Sequence, residues 1–119
     1  MKQLFYIGVG GASGSIIRYL IQRHFNVFQF PYGTLLVNLT GCFAIGVLAA
    51  LVLKNQLNEP MKALLITGFC GGFTTFSAFT LEGNNFLMEG KWIPFILYTT
   101  GSVAGGLVLT FLGYKIFHS

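Results

Sequence analysis

Four runs of apolar residues, each long enough to cross a bilayer, occupy most of this 119-residue chain. They extend from about Leu4 to Gln22, Gly33 to Leu53, Met61 to Leu87 and Ile93 to Phe117. A transmembrane helix needs about 20 mostly apolar residues. The links between the runs are short and carry half of the ten charged residues. Soluble domains have about 25% charged residues; here the figure is 8%, against 54% hydrophobic. The sequence therefore predicts an all-α membrane protein, one four-helix transmembrane domain over 1–119. Nothing suggests a soluble module. The first run is read as a helix and not a signal peptide. It lacks a strong basic leader, Arg18 stands where its apolar core should end, and three further spans follow.

The third run is the unusual one. Gly68-Phe69-Cys70-Gly71-Gly72-Phe73-Thr74-Thr75-Phe76-Ser77-Ala78-Phe79 packs three glycines, three hydroxyls and four phenylalanines into twelve residues. Glycine costs about 1 kcal/mol relative to alanine inside a helix, and Gly71-Gly72 concentrates that cost. Unpaired backbone at membrane depth is tolerated only where it faces protein, water or an ion. The third helix is therefore expected to break mid-membrane around something polar.

Charge gives a weak orientation signal. If the helices cross in turn, Lys2, Lys54, Lys62 and Lys115 share one side, and Arg18, Arg23 and Lys91 the other. Orientation follows such a difference, and four against three is almost none. Either the chain inserts both ways round, and opposite copies pair about a two-fold axis in the membrane plane, or a subtler signal fixes one orientation. Seven Lys/Arg against three acids give a net charge of +4, scattered over loops, which offers nucleic acid no concentrated patch. Gly10 with Gly14, Gly68 with Gly72 and Gly101 with Gly105 are small-residue pairs four apart, suited to close helix packing. Cys42 and Cys70 lack metal-ligand spacing and are read as small apolar core residues.

Several polar residues lie inside the spans. Asn38 must face protein or a cavity, as interhelical glue or as a functional donor. Tyr98, Ser102, Gly106 and Thr110 recur every four residues and make a polar stripe along one helix face. The alternative is separate back-bonds to the helix's own carbonyls. Arg18 either snorkels to the headgroups or sits at a pore mouth and gathers anions. Glu82 is the only carboxylate at membrane depth, an exposed vestibule residue or a proton or gating site. Phe76 and Phe79 share one side of the helix that follows the break. Their ring edges carry partial positive charge and can replace water around a small anion without trapping it.

These motifs resemble the Fluc (CrcB-type) fluoride channels over nearly the whole chain. The first signature is Gly10-Gly11-Ala12-Ser13-Gly14-Ser15-Ile16-Ile17-Arg18-Tyr19. The second is Gly33-Thr34-Leu35-Leu36-Val37-Asn38-Leu39-Thr40-Gly41, and the third is the 68–79 segment. Any one of them is weak, whereas three in order at these spacings are specific. The resemblance implies a dual-topology antiparallel homodimer with two fluoride pores. It implies a structural sodium ion (Na+) at the dimer centre, held by backbone carbonyls at positions matching Gly71 and Thr74. It places Asn38, Phe76 and Phe79 in the pore, with Tyr98, Ser102, Ser77 and Thr80 on a polar track. Glu82 matches the outer track and Arg18 the vestibule. Gly106 and Ala78 depart from the hydroxyls that many members carry there.

The expected function is passive fluoride export across the inner (plasma) membrane. The alternatives are a small proton-coupled dual-topology exporter using Glu82, and an assembly subunit without transport. No G-x-x-x-x-G-K-[ST] motif is present, so ATP-driven pumping has no support. His24 and His118 suggest no nucleophile–base pair, so an enzyme is not expected.

Overall fold

The computed structural model describes residues 1–27 and 29–118. Its four long apolar stretches are Lys2–Phe25, Tyr32–Leu53, Glu59–Met88 and Trp92–His118. Every bound lies within a turn of the one read from the sequence. The first stretch is α1 (Lys2–Phe25) and the second α2 (Tyr32–Leu53). The third is composite. It begins as α3 (Glu59–Lys62), continues as the π-helical segment π1 (Ala63–Cys70), and returns to α geometry in α4 (Gly71–Phe73). After two extended residues it resumes as α5 (Phe76–Met88). The fourth stretch is α6 (Trp92–His118).

Local chemistry accounts for several ends. Asn58 caps α3 by accepting from the Met61 N–H at 2.9 Å, with Pro60 in the first turn. Gly90, at φ +71, takes the left-handed conformation that closes α5. Between α1 and α2 the chain makes a small antiparallel hairpin that was not expected. β1 (Asn26–Val27) pairs with β2 (Phe30–Pro31), Asn26 opposite Pro31 and Val27 opposite Phe30. The Lys91 ammonium donates to Gln29 Oε1 at 3.1 Å and pairs with Glu89 at 3.1 Å, tying the hairpin to the α5–α6 link.

The helices associate in two interleaved pairs, α1 with π1 and α4, and α2 with α6. The first pair is a backbone-to-backbone seam. A Cβ on Gly14 would meet Phe69 O and lie 2.8 Å from Phe73 N; a Cβ on Gly68 would lie 2.8 Å from Ile7 O. The predicted pairs Gly10/Gly14 and Gly68/Gly72 thus pack against each other, as small residues do where lipid supplies no hydrophobic drive. Gly101 behaves differently, since a Cβ there meets nothing within 4 Å. The α2–α6 contact instead uses Gly46 and Gly113.

The interior is small. Val37, Ala50, Tyr98 and Thr34 are fully buried. Ile96, Leu97, Val103, Leu107 and Phe111 on α6 are exposed. That surface suits lipid or protein, not water.

Candidate functional site

Backbone hydrogen bonding is rerouted between α4 and α5. Thr74 (φ −85°, ψ 156°) and Thr75 (φ −149°, ψ 121°) are extended. In an unbroken helix the Thr75 N–H would bond the Gly71 carbonyl, four residues back. Here it donates to Asn38 Oδ1 at 2.8 Å. The Ala78 N–H would likewise serve Thr74 O, but it donates to Thr75 Oγ1 at 3.2 Å, the N-cap of α5. The carbonyls of Gly71 and Thr74 are thus deprived of their helical donors. The Gly72 carbonyl is treated differently. It accepts from Arg18 Nε at 3.0 Å and from Ser15 Oγ at 3.4 Å.

Asn38 reaches this segment from α2. Besides accepting from Thr75 N–H, it donates through Nδ2 to Thr75 O at 3.1 Å. Gly41, one turn on, admits the Thr74 side chain, whose Cγ2 a Cβ at 41 would strike. The Thr74 hydroxyl bonds back to Cys70 O at 2.9 Å. A groove of about 430 Å³ opens here, lined by Asn38, Gly71, Thr74, Phe76, Phe79 and Ser102 among others.

An aromatic cluster extends from the groove. Phe76 and Phe79 have ring centroids 5.8 Å apart, and Phe79 lies 5.3 Å from Tyr98. Tyr98 also meets Phe30 edge-on at 5.6 Å and Phe86 at 6.0 Å. Phe76 is 76% exposed, so its ring is covered little by its own chain. Ser102 Oγ is buried without a hydrogen-bond partner among the described residues, and the buried Tyr98 hydroxyl faces Thr34 and Glu82. An unmade bond of this kind costs about 1–3 kcal/mol. Ser102 Oγ, one turn beyond Tyr98 on α6, is a donor free for a partner from outside the described residues.

A polar relay runs along the other side. Arg18 Nη1 donates to Gln22 Oε1 at 3.3 Å, and Gln22 Nε2 to Thr34 Oγ1 at 3.0 Å. Thr34 Oγ1 donates to Glu82 Oε1 at 2.7 Å. Asn26 braces this end. Its Nδ2 lies 3.3 Å from both Thr34 Oγ1 and Glu82 Oε2, and its Oδ1 accepts the Thr34 N–H at 3.0 Å.

The structure thus gathers Asn38, Gly71, Thr74, Phe76, Phe79 and Ser102 around one groove, with Tyr98 reached through Phe79. Ser77 and Thr80 lie on the exposed side of α5. Ser77 Oγ is 3.3 Å from Thr75 Oγ1, and Thr80 Oγ1 donates to Ser77 O at 3.0 Å. Neither lines the groove that holds Asn38. Thr110, the end of the expected stripe, is tied to α2 by a 2.9 Å bond from its hydroxyl to Cys42 O. Arg18 donates to the carbonyl end of α4. Sequence reasoning assigned no role to Gln22, Asn26 or Thr34. Gln22 and Asn26 are four apart at the end of α1, a spacing that signals a shared face, but residues at a span edge read as solvated.

The chain has clear relatives. The family described as CrcB-like protein, Camphor Resistance (CrcB), matches residues 5–114. The fluoride-specific ion channel FluC of Aquifex aeolicus (strain VF5) is 46% identical over 119 residues, 96% of this chain and 95% of that one. FluC of Leptospira interrogans serogroup Icterohaemorrhagiae serovar copenhageni (strain Fiocruz L1-130) is 48% identical over 116 residues, 94% of this chain and 91% of its own. FluC of Azobacteroides pseudotrichonymphae genomovar. CFP2 is 41% identical over 120 residues, 96% and 94% respectively. With four apolar spanning helices and this match over nearly its full length, the chain is a multi-pass membrane protein that belongs to the CrcB-like family.

Proposed function

We propose that the protein is a fluoride-selective channel of the plasma membrane that lowers cytoplasmic fluoride by passive export. The observation that carries this reading is the rerouting at Thr74-Thr75. It places an interrupted backbone, an amide and two phenylalanines in one groove. The names of the full-length relatives supply the ion. Fluoride is small and tightly hydrated, so neutral donors must replace its water in steps. The hydroxyls of Ser102 and Tyr98 are such donors. The positive end of α5 begins at Phe76, and the Phe76 and Phe79 ring edges add partial positive charge. No Lys or Arg lines this groove to trap the anion. A cell-negative potential favours anion exit by about 2.3 kcal/mol per 100 mV.

In this reading two chains insert in opposite orientations and pair as an antiparallel homodimer with two pores. The near-balanced loop charges support dual insertion. The exposed Phe76 ring and the open groove support completion by a second copy. Ser77 and Thr80, exposed on α5, would then extend a path formed between subunits.

The Gly71 and Thr74 carbonyls suit a buried Na+. Both are hard oxygen donors stripped of their helical partners, while Arg18 and Ser15 occupy Gly72 O, one of the two carbonyls between them. Two carbonyls from each of two chains would hold the ion. A bound cation supplies positive charge to these carbonyl dipoles and stabilises the interruption. Asn38 keeps Thr75 away from Gly71, and the Thr75 hydroxyl keeps Ala78 away from Thr74.

The proton-coupled alternative has less support, because Glu82 stands toward the end of the third span and is engaged by Thr34 and Asn26. Purified protein in liposomes tests the channel reading on a fluoride electrode. Rapid fluoride efflux with far slower chloride is expected; equal chloride flux, or none of either, would sink it.

A further inference from the structure

The interruption at Thr74-Thr75 poses a mechanical problem. No helical hydrogen bond passes from α4 to α5, so the position of α5 must be set from outside the third span. Asn38 holds its start at Thr75. The far anchor is Glu82, and it is joined back to α4 by one continuous path. That path runs from Gly72 O to Arg18, Gln22, Thr34 and Glu82, through α1 and α2.

We propose that Gln22 is a positioning residue for conduction, the central link of a strut that fixes α5 against α4 across the interruption. The inference rests on the channel reading for its functional consequence. Gln22 does not line the groove that holds Asn38, Phe76 and Phe79, so it acts through placement.

The strut has a fixed polarity. Arg18 can only donate, and an ionised Glu82 can only accept. The ends therefore dictate the middle. Gln22 must turn its oxygen to Arg18 and its amide N–H to Thr34, and Thr34 must point its proton at Glu82. All three links run donor to acceptor in the same direction, so each polarises the next. Arg18 and Glu82 make no direct ion pair. Two neutral side chains span the gap instead. Thr34 is fully buried, and its hydroxyl is saturated, donating once and receiving from Gln22 and Asn26. Close packing sets the corner itself. A Cβ on Gly33 would lie 2.7 Å from Gln22 Cα and 2.9 Å from Ile21 O, so α2 starts in backbone contact with α1.

The test uses the full chain in liposomes with Gln22→Met, Thr34→Val, the double variant, Thr34→Ser and Gln22→Glu. Fluoride efflux is read beside hydrogen–deuterium exchange of the 76–88 amides and the oligomeric state in detergent. Gln22→Met and Thr34→Val should each slow efflux at least ten-fold with assembly unchanged, and should speed exchange over 76–88 but not over α6. The double variant should be no slower than the slower single. Thr34→Ser, which keeps the hydroxyl, should recover at least half the wild-type rate. Gln22→Glu keeps its contact with Arg18 but has no N–H for Thr34, so it should also be slow; it decides the matter should Gln22→Met not assemble. Wild-type efflux in both Gln22 variants, multiplying losses in the double, or unaltered exchange over 76–88 would overturn the strut. A wild type that carries no fluoride would sink the channel reading instead, leaving the exchange data to judge the strut.

Discussion

Asn38 engages both polar backbone groups of Thr75, accepting from its N–H at 2.8 Å and donating to its C=O at 3.1 Å. One side chain on α2 thus satisfies the residue where the third span is interrupted. Asn38→Asp keeps the acceptor and loses the donor. It sets a carboxylate against the Thr75 carbonyl and a negative charge beside the proposed anion path. Fluoride efflux should be suppressed, and the protein destabilised by about 1–3 kcal/mol. Efflux from liposomes and thermal melting in detergent measure the two effects; normal turnover would place Asn38 off the path.

Phe76 and Phe79 form a tilted pair that continues to Tyr98. Phe76→Ile and Phe79→Ile keep apolar bulk and remove the ring edge. Each should cut fluoride efflux while the protein still elutes as the wild-type assembly. Unchanged efflux in both variants would remove the rings from the mechanism.

Glu82 accepts from Thr34 and Asn26. Glu82→Gln keeps an oxygen for the Thr34 hydroxyl and abolishes proton exchange at that site. Efflux should persist in this variant, and in the wild type without a proton gradient. Flux that collapses with the gradient, and is absent from Glu82→Gln, would favour the proton-coupled exporter.

The carbonyls of Gly71 and Thr74 give the sodium proposal a thermodynamic test. A ligand that binds only the folded state at 100 times its Kd stabilises it by about 2.7 kcal/mol. Replacing Na+ by a large organic cation at equal ionic strength should lower the melting temperature of the purified protein. Identical melting in the two salts would argue against the ion.

The seam between α1 and the third span predicts a sharp contrast among glycines. Gly14→Ala would drive a methyl group into the backbone at Phe69 and Phe73. The expected cost is about 1–3 kcal/mol. Gly8→Ala meets nothing within 4 Å in the same helix and should melt close to the wild type.

The spans were legible because each buries or exposes apolar residues over a bilayer's length, and hydropathy alone marks their limits. The extended residues Thr74 and Thr75 lie inside the stretch where the sequence expects a break, but Gly71 and Gly72, on which that expectation leaned, remain helical in α4. The hairpin at Asn26–Pro31 was not legible, since two-residue strands have no periodicity to read. The partner of Arg18 was not legible for a related reason. That partner, the Gly72 carbonyl, lies 54 residues away, and a backbone acceptor leaves no mark in the sequence. Gln22 and Thr34 escaped likewise. The Gln22–Thr34 and Thr34–Glu82 links join different helices, and only the packing of α1, α2 and α5 reveals them.

The interleaved pairing of helices has a consequence for how the chain is made. The glycine face of α1 finds its partner only when Gly68 and Gly72 emerge, after α2 has already entered the bilayer. The main partner of α2 in turn is α6, the fourth span. During synthesis the first two helices must wait in lipid with their principal contacts unmade. Assembly within the chain is complete only once the fourth helix is in place.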